Sequence, residues 1–184
     1  METIYKDTKD KMEKAITSLK QEFSRLRTGR ATPALLDGVR VEYYGSLTPL
    51  NQVANVSVPD PKLIVIQPWD QNALTAIEKA IIKSDLGLNP QTDGKIVRVP
   101  IPALTDERRK DLVKLIKKLT EDTKVSIRNI RRQANDNIKA KEKDKTVSED
   151  DSKKGQDHVQ KQTDDFIAQA DKLMQSKEKE ILEG

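Results

Sequence analysis

The chain has 184 residues, no cysteine and a net charge of +4 at neutral pH. The missing cysteines exclude disulfides and thiolate metal sites, and no apolar run approaches the length of about 18 residues that favours a membrane span. Charged residues make up 35% of the chain and aromatic residues 3%, which favours long solvated helices over one deep core. The charged N-terminus does not look like a signal peptide, so a soluble cytoplasmic protein is expected.

Residues 2–28 are predicted to form the first helix. Their apolar side chains recur at steps of three and four, which is the period of a helix with one buried face. Gly29 is well placed to end this helix, and three arginines, Arg25, Arg27 and Arg30, surround the predicted end.

The pattern changes at Ala31, and all eight prolines lie between there and Leu104. Short β-rich runs predict strands, one amphipathic run predicts a helix, and Trp69 after the third strand is expected to pack in the core or against a domain face. The strand, helix, strand order suggests a small β/α domain with a partly parallel sheet. The predicted strands cover residues 39–44, 53–58, 62–67 and 95–101, with the helix at 72–84 and a loop at 86–94.

A long second bundle helix is predicted from Thr105 to about Lys145, with Thr105 as its cap. It carries 14 Lys and Arg against 8 Asp and Glu, a net +6 that exceeds the +4 of the whole chain. One face is apolar and the opposite face is basic, so the apolar face requires a partner and the basic face suggests a polyanion. The apolar face holds Leu112, Leu115, Ile116, Leu119, Ile127, Ile130, Ala134 and Ile138; the basic face holds Lys110, Lys114, Lys117, Lys124, Arg128, Arg131 and Arg132.

A third long helix is predicted from Ser148 to residue 183, because Ser148 and Asp151 have the spacing of a capping box. Three amphipathic helices can bury their apolar faces by packing against one another. The sequence therefore predicts a two-domain α+β fold: a three-helix bundle from residues 1–30 and 105–184, with a small β/α domain from residues 31–104 inserted through a two-strand hinge. The acids of the third helix are spread along it, so no internal acidic stripe is expected to match the basic face.

Four stretches of this sequence resemble the ribosome recycling factor family. They are RTGRATPALLDGVRVEYYG at 27–45, EKAIIKSDLGLNP at 78–90, VRVPIPALTDERRKDLVK at 97–114 and VSIRNIRRQANDNIK at 125–139. The resemblance implies an L-shaped protein in which a three-helix arm and a small arm meet at a flexible elbow. It also implies that the chain binds the post-termination ribosome and, with elongation factor G and GTP, splits it into subunits, freeing mRNA and tRNA.

The resemblance also implies roles for particular residues. The basic face matches the surface with which the family contacts large-subunit ribosomal RNA at the intersubunit face, and guanidinium groups match phosphate oxygens well. The implied contacts are Arg109, Arg128, Arg131 and Arg132, with Lys110, Lys117 and Lys124 beside them. Gly29 and Arg30 match the elbow motif of the family, and the double connection between the two predicted domains adds Ala31, Leu104 and Thr105 to the expected hinge.

Other interpretations of the same patterns stay open at this point. A basic helix face is often only a solvated face, and the apolar seams of three long helices would also suit a helical adaptor or chaperone that forms oligomers with other proteins. The recycling-factor hypothesis instead expects a monomer. No phosphate-binding loop, dinucleotide fingerprint or nucleophile constellation is present, so no enzyme activity, cofactor or metal is expected.

Overall fold

A computed structural model describes all 184 residues and divides them into two compact units. The first unit is helical and comprises Met1–Phe23 and Lys110–Glu183; the second is β-rich and comprises Ser24–Arg109 with Gly184. The fold is thus α+β with two units, the class that the sequence predicts. The predicted boundaries at residues 30/31 and 104/105 both fall inside the second unit.

Three long helices supply the helical unit: α1 (Glu2–Arg25), α3 (Asp106–Lys143) and α4 (Glu149–Glu183). The last two residues of α1 and the first four of α3 are assigned to the β-rich unit. A fourth helix, α2, belongs to the β-rich unit and spans Leu74–Lys83. Both predicted caps are confirmed. The Thr105 hydroxyl accepts from the Arg108 backbone N–H at 3.2 Å, and the Ser148 hydroxyl accepts from the Asp151 N–H at 3.1 Å while donating to the Asp151 carboxylate.

The three helices bury their apolar faces on one another. Near one end, Ala134 and Ile138 of α3 and Val159 of α4 form a cluster that is covered by Met1 and by Tyr5 of α1. α4 runs antiparallel to α3, since Lys117 pairs with Glu178 and the later Lys124 pairs with Asp171. The predicted apolar face of α3 is therefore largely confirmed; Leu115, at its edge, remains 38% exposed.

Gly155 has a packing role that its low helix propensity alone does not suggest. It is buried in α4, and a Cβ there would collide with the terminal methyl of Met1 and lie 3.2 Å from the Tyr5 hydroxyl oxygen. A glycine costs about 1 kcal/mol in a helix interior relative to alanine. At this position the missing Cβ leaves room for the ends of the Met1 and Tyr5 side chains against α4.

The first helix ends earlier than predicted. It stops at Arg25 and not at residue 28, so the prediction that Gly29 directly ends it is wrong. Gly29 has φ +78°, a conformation that glycine adopts without strain, but it belongs to the segment that follows the helix.

The β-rich unit contains a two-stranded hairpin and a four-stranded sheet. The hairpin pairs β1 with β2, and Tyr44 and Gly45 at its turn both have positive φ. The sheet has the order β3-β4-β6-β5, and α2 packs with both sheets around one core that includes Val41, Ile64 and Ile77. The strands are β1 (Arg40–Tyr43), β2 (Ser46–Pro49), β3 (Ala54–Asp60), β4 (Leu63–Pro68), β5 (Gln91–Thr92) and β6 (Val97–Pro100).

The prediction of a partly parallel sheet is wrong, because every paired neighbour is antiparallel. The chain does cross over through α2 from β4 to β5, two strands that point the same way. A turn at Asp93–Gly94 then folds β6 back between them, so β4 and β5 never pair. The short strands β2 and β5 were not predicted. They have only four and two residues, mostly polar or proline, and such short segments show little alternation of apolar and polar side chains.

Trp69 also differs from expectation. Its side chain is 69% exposed, so the prediction that it packs in the core or against a domain face is wrong. β4 ends at Pro68, and the Trp69 backbone N–H donates to the Val53 carbonyl at 3.2 Å while its ring stays at the surface.

Candidate nucleic-acid interface

The basic face of α3 lies on one uninterrupted helix that is anchored in the bundle. Lys110 and Arg132 are 22 residues apart, which corresponds to about 33 Å at the rise of an α-helix. Buried residues such as Ile116 and Ile127 fix the opposite face in the bundle. Cations on this helix are therefore displayed along a line of fixed spacing, which suits the regularly spaced phosphates of a folded polynucleotide.

Three of the predicted contact residues lie along the side of α3 next to α4. The Lys117 ammonium is 3.7 Å from a Glu178 carboxylate oxygen, and Lys124 forms an ion pair with Asp171. Arg131 donates from Nη1 to the Gln160 side-chain oxygen at 3.0 Å. Two acids of α4 therefore meet lysines of this side, although two carboxylates do not amount to an acidic stripe that matches the seven cations of the basic face.

Arg128 is paired along its own helix. Its guanidinium is 2.9 Å from the Glu121 carboxylate, which lies two helical turns earlier. Exposed ion pairs contribute only about 0–1 kcal/mol, so Arg128 can exchange Glu121 for another acceptor at little cost. A phosphate oxygen offers the same kind of acceptor.

Lys110 and Arg132 are exposed and form no ion pair within the chain. Lys114 and Lys118 share this outward side, and Lys118 was not among the residues singled out from the sequence. The fully outward face is thus shifted by part of a turn from the predicted one, because the side of α3 that carries Lys117, Lys124 and Arg131 lies next to α4.

Arg109 does not share this outward side. It precedes Leu112 by three residues and Ile116 by seven, so it lies on the same side of α3 as those buried residues, and it is half-buried. Its backbone N–H donates to the Thr105 carbonyl at 2.9 Å in the first turn of the helix. Arg109 thus lies apart from Lys110 and Arg132, although it is next to Lys110 in the chain.

The predicted hinge residues are fastened to one turn of the β-rich unit. The Gly29 carbonyl accepts from Lys62 Nζ at 2.6 Å, and the Ala31 N–H donates to the Pro61 carbonyl at 2.7 Å. Ala31 is buried in the core of this unit, whereas Arg30 is exposed.

The second connecting segment reaches the same turn, since the Ile101 N–H donates to the Lys62 carbonyl at 2.8 Å. Leu104 is half-buried and Thr105 caps α3. All five predicted hinge residues therefore belong to the β-rich unit.

Features that would indicate other chemistry are not found. No group of three or more His, Asp or Glu side chains is placed to hold a metal ion. None of the helices combines the length and apolar character that crossing a bilayer requires.

Comparison with known proteins identifies the family of this chain. The family model described as "Ribosome recycling factor" matches residues 19–182. The chain belongs to the ribosome recycling factor family. Curated relatives named ribosome-recycling factor include those of Oleidesulfovibrio alaskensis, 58% identical over 183 residues with 100% of each chain covered, and Carboxydothermus hydrogenoformans, 58% identical over 182 residues with 99% of this chain and 98% of the relative covered. Such proteins are translation factors that act on ribosomes.

Solved structures of this family are similar to the chain over its whole length. A solution structure of the ribosome recycling factor has 46% sequence identity and a TM-score of 0.79, covering 100% of this chain and 97% of the other. A second match has 51% identity and a TM-score of 0.68, with 98% of each chain covered. Its description is of models for the T. thermophilus ribosome recycling factor and E. coli elongation factor G bound to the E. coli post-termination complex.

Proposed function

We propose that this chain binds the post-termination ribosome and, with elongation factor G and GTP, promotes its dissociation into subunits, freeing mRNA and tRNA. The observation that carries this proposal is the identity of 58% over full-length relatives named ribosome-recycling factor. A related recycling factor has been described together with elongation factor G on a post-termination complex, which supports the choice of partners. In this proposal the chain is a cytoplasmic monomer that needs no cofactor and catalyses no reaction itself.

The proposed ribosome-binding surface is the outward side of α3 and its flank. Arg132 and Lys110 supply cations without an intrachain ion pair, and Arg128 supplies a guanidinium whose exposed pairing with Glu121 is exchangeable. The partner of this surface in the proposal is large-subunit ribosomal RNA at the intersubunit face. Because folded RNA is recognised mainly through shape and phosphate position, a rigid line of cations matters more here than base-specific contacts.

Lys117, Lys124 and Arg131 are proposed to contribute from the edge of the same surface. Each already contacts α4, so each must exchange an existing partner for a phosphate and gains less on binding. Arg109 remains a proposed contact through the first turn of α3. Gly29, Arg30, Ala31, Leu104 and Thr105 remain the proposed hinge.

The bundle does not favour the adaptor or chaperone hypothesis. That hypothesis needs an apolar seam open to another chain, whereas Met12 and Ile16 of α1, Leu112 and Ile116 of α3 and Phe166 of α4 are buried within this chain. The same burial accounts for the monomer expected in the recycling-factor proposal.

A subunit-splitting assay tests the proposed function directly. Post-termination ribosomes with elongation factor G and GTP are followed by light scattering, with and without the purified chain, and the products are separated on sucrose gradients. We expect loss of intact ribosomes only when chain, elongation factor and GTP are all present. Intact ribosomes in the complete mixture would overturn the proposal.

A further inference from the structure

A groove on the β-rich unit is separate from the basic face of α3. It has a volume of about 370 Å³ and runs between the β1–β2 hairpin and α2. The lining residues that define this hairpin groove are Arg40, Glu42, Leu47, Ala76, Lys79 and Lys83.

The local structure explains why these side chains meet. Alternate residues of a strand point to opposite faces, so Arg40 and Glu42 face the groove while Val41 between them is buried in the core. Leu47 lies directly across from Glu42 in the hairpin register. On the other wall, Lys79 and Lys83 are four residues apart and therefore neighbours on one side of α2.

The groove has an unbalanced positive charge. Three cations, Arg40, Lys79 and Lys83, face one carboxylate, Glu42, which leaves a net +2. None of the three forms an ion pair within the chain, in contrast to Lys117 and Lys124 of α3. Favourable interaction with the end of a helix dipole accounts for a lysine in the last turn of α2, but it does not account for Arg40, which lies on a strand.

The groove also has apolar lining. Leu47 is 72% exposed, and the α2 side chains that line the groove with it include the small Ala76. An exposed large aliphatic side chain in the same groove as three cations is unfavourable for a surface that binds only phosphates. It suits a polypeptide that brings carboxylates and an aliphatic side chain together.

Both walls are held in place at one end of the groove. The Tyr43 and Tyr44 hydroxyls each donate to the same oxygen of Asp70 at 3.1 Å. The other Asp70 oxygen accepts from the Asn72 N–H at 2.9 Å, just before α2 begins. The hairpin tip and the start of α2 are thus tied to one carboxylate, and a preorganised groove loses less conformational entropy on binding.

We propose that the hairpin groove is a docking site for an acidic segment of a protein partner that carries an aliphatic side chain. Its carboxylates meet Arg40, Lys79 and Lys83, and its aliphatic side chain packs between Leu47 and Ala76. This function is additional to RNA binding by α3, and its test does not require the ribosome.

The test titrates isotope-labelled full-length chain with a short peptide rich in Asp and Glu that contains two leucines, and follows backbone amide NMR shifts at low salt. We expect shifts concentrated at residues 40–47 and 76–83. The Lys79→Glu/Lys83→Glu variant should bind about three- to tenfold more weakly, because two exposed attractions become repulsions. The matched control is Lys139→Glu/Lys143→Glu, which makes the same change in charge at the same spacing in the last turns of α3 and should change affinity less than about twofold.

Two further measurements distinguish the alternatives. Leu47→Ser, at an exposed position that the fold does not need, should weaken binding of the leucine-containing peptide but not of a peptide with serines in place of leucines. Equal weakening by the control pair, no effect of Leu47→Ser, or no shifts in the groove would each overturn the proposal. Tighter binding of an oligouridylate to the same amides would also overturn it, since the groove would then be a nucleic-acid surface.

Discussion

Replacing Arg132 with alanine is expected to weaken ribosome binding without affecting the stability of the chain. Arg132 is exposed on the outward side of α3 and has no ion pair within the chain. Surface substitutions of this kind usually change stability by no more than about 0.5 kcal/mol. For a chain of this size that corresponds to a shift of about 1–2 °C in the melting temperature.

The expected effect on binding is larger. A hydrogen bond to a charged group contributes about 1.5–3 kcal/mol, so losing one phosphate contact should weaken binding by roughly 10- to 150-fold. Arg131→Ala should cost less, at about 0.5–1.5 kcal/mol, because Arg131 must first leave Gln160, to which it donates at 3.0 Å. A comparison of the two variants therefore distinguishes the contribution of an arginine without an intrachain ion pair from that of an arginine that already has a hydrogen-bond partner.

The assay is co-sedimentation with ribosomes over a series of salt concentrations. Each lost phosphate contact should flatten the slope of log affinity against log salt by about 0.7–0.9. Lys20→Ala serves as the control, since Lys20 is an exposed cation on α1 without an ion pair; it should leave the slope unchanged. An unchanged slope for Arg132→Ala, or a melting temperature lowered by many degrees, would show that the assigned outward face is wrong.

Three further predictions concern the fold. In a urea titration, Gly29→Ala should lower the free energy of unfolding by about 1 kcal/mol, because Gly29 has φ +78°. The control Gly38→Ala should be neutral or slightly stabilising, because φ is not positive there and an added Cβ meets nothing within 4 Å. Gly155→Leu should destabilise the bundle by about 1–3 kcal/mol through overpacking, and a helical melting curve like that of the wild type would contradict the packing role of this glycine. The Asn72 N–H, then the two tyrosine hydroxyls, lower the pKa of Asp70 from its usual 3.8 despite an opposing effect of burial. The stabilising contribution of Asp70 is therefore present above about pH 4 and lost as the pH falls through the lower folded pKa. The melting temperatures of wild type and Asp70→Asn should converge as the solution is acidified, and a gap that does not shrink with falling pH would contradict this cause.

Local signals predicted the helices well and the small sheet less well. α3 and α4 are long, have a regular helical spacing of apolar residues, and are capped by Thr105 and Ser148. Their first residues could therefore be predicted from the caps and their lengths from the spacing. The hairpin register depends on a turn in which Tyr44 and Gly45 both have positive φ. A tyrosine rarely adopts positive φ, so the sequence does not predict that conformation. β6 lies between β4 and β5 because of the turn at Asp93–Gly94, and no periodicity within a single strand specifies its neighbours.

The sequence by itself determined the two-part α+β organisation, the amphipathic helices and the concentration of positive charge on α3, because these depend on local period and composition. The tertiary structure decided which cations are available. Packing against α4 brings Lys117 to Glu178 and Lys124 to Asp171, while Arg132 stays exposed. Ion pairs between helices depend on the packing angle and register of the bundle, which a single helix pattern does not contain.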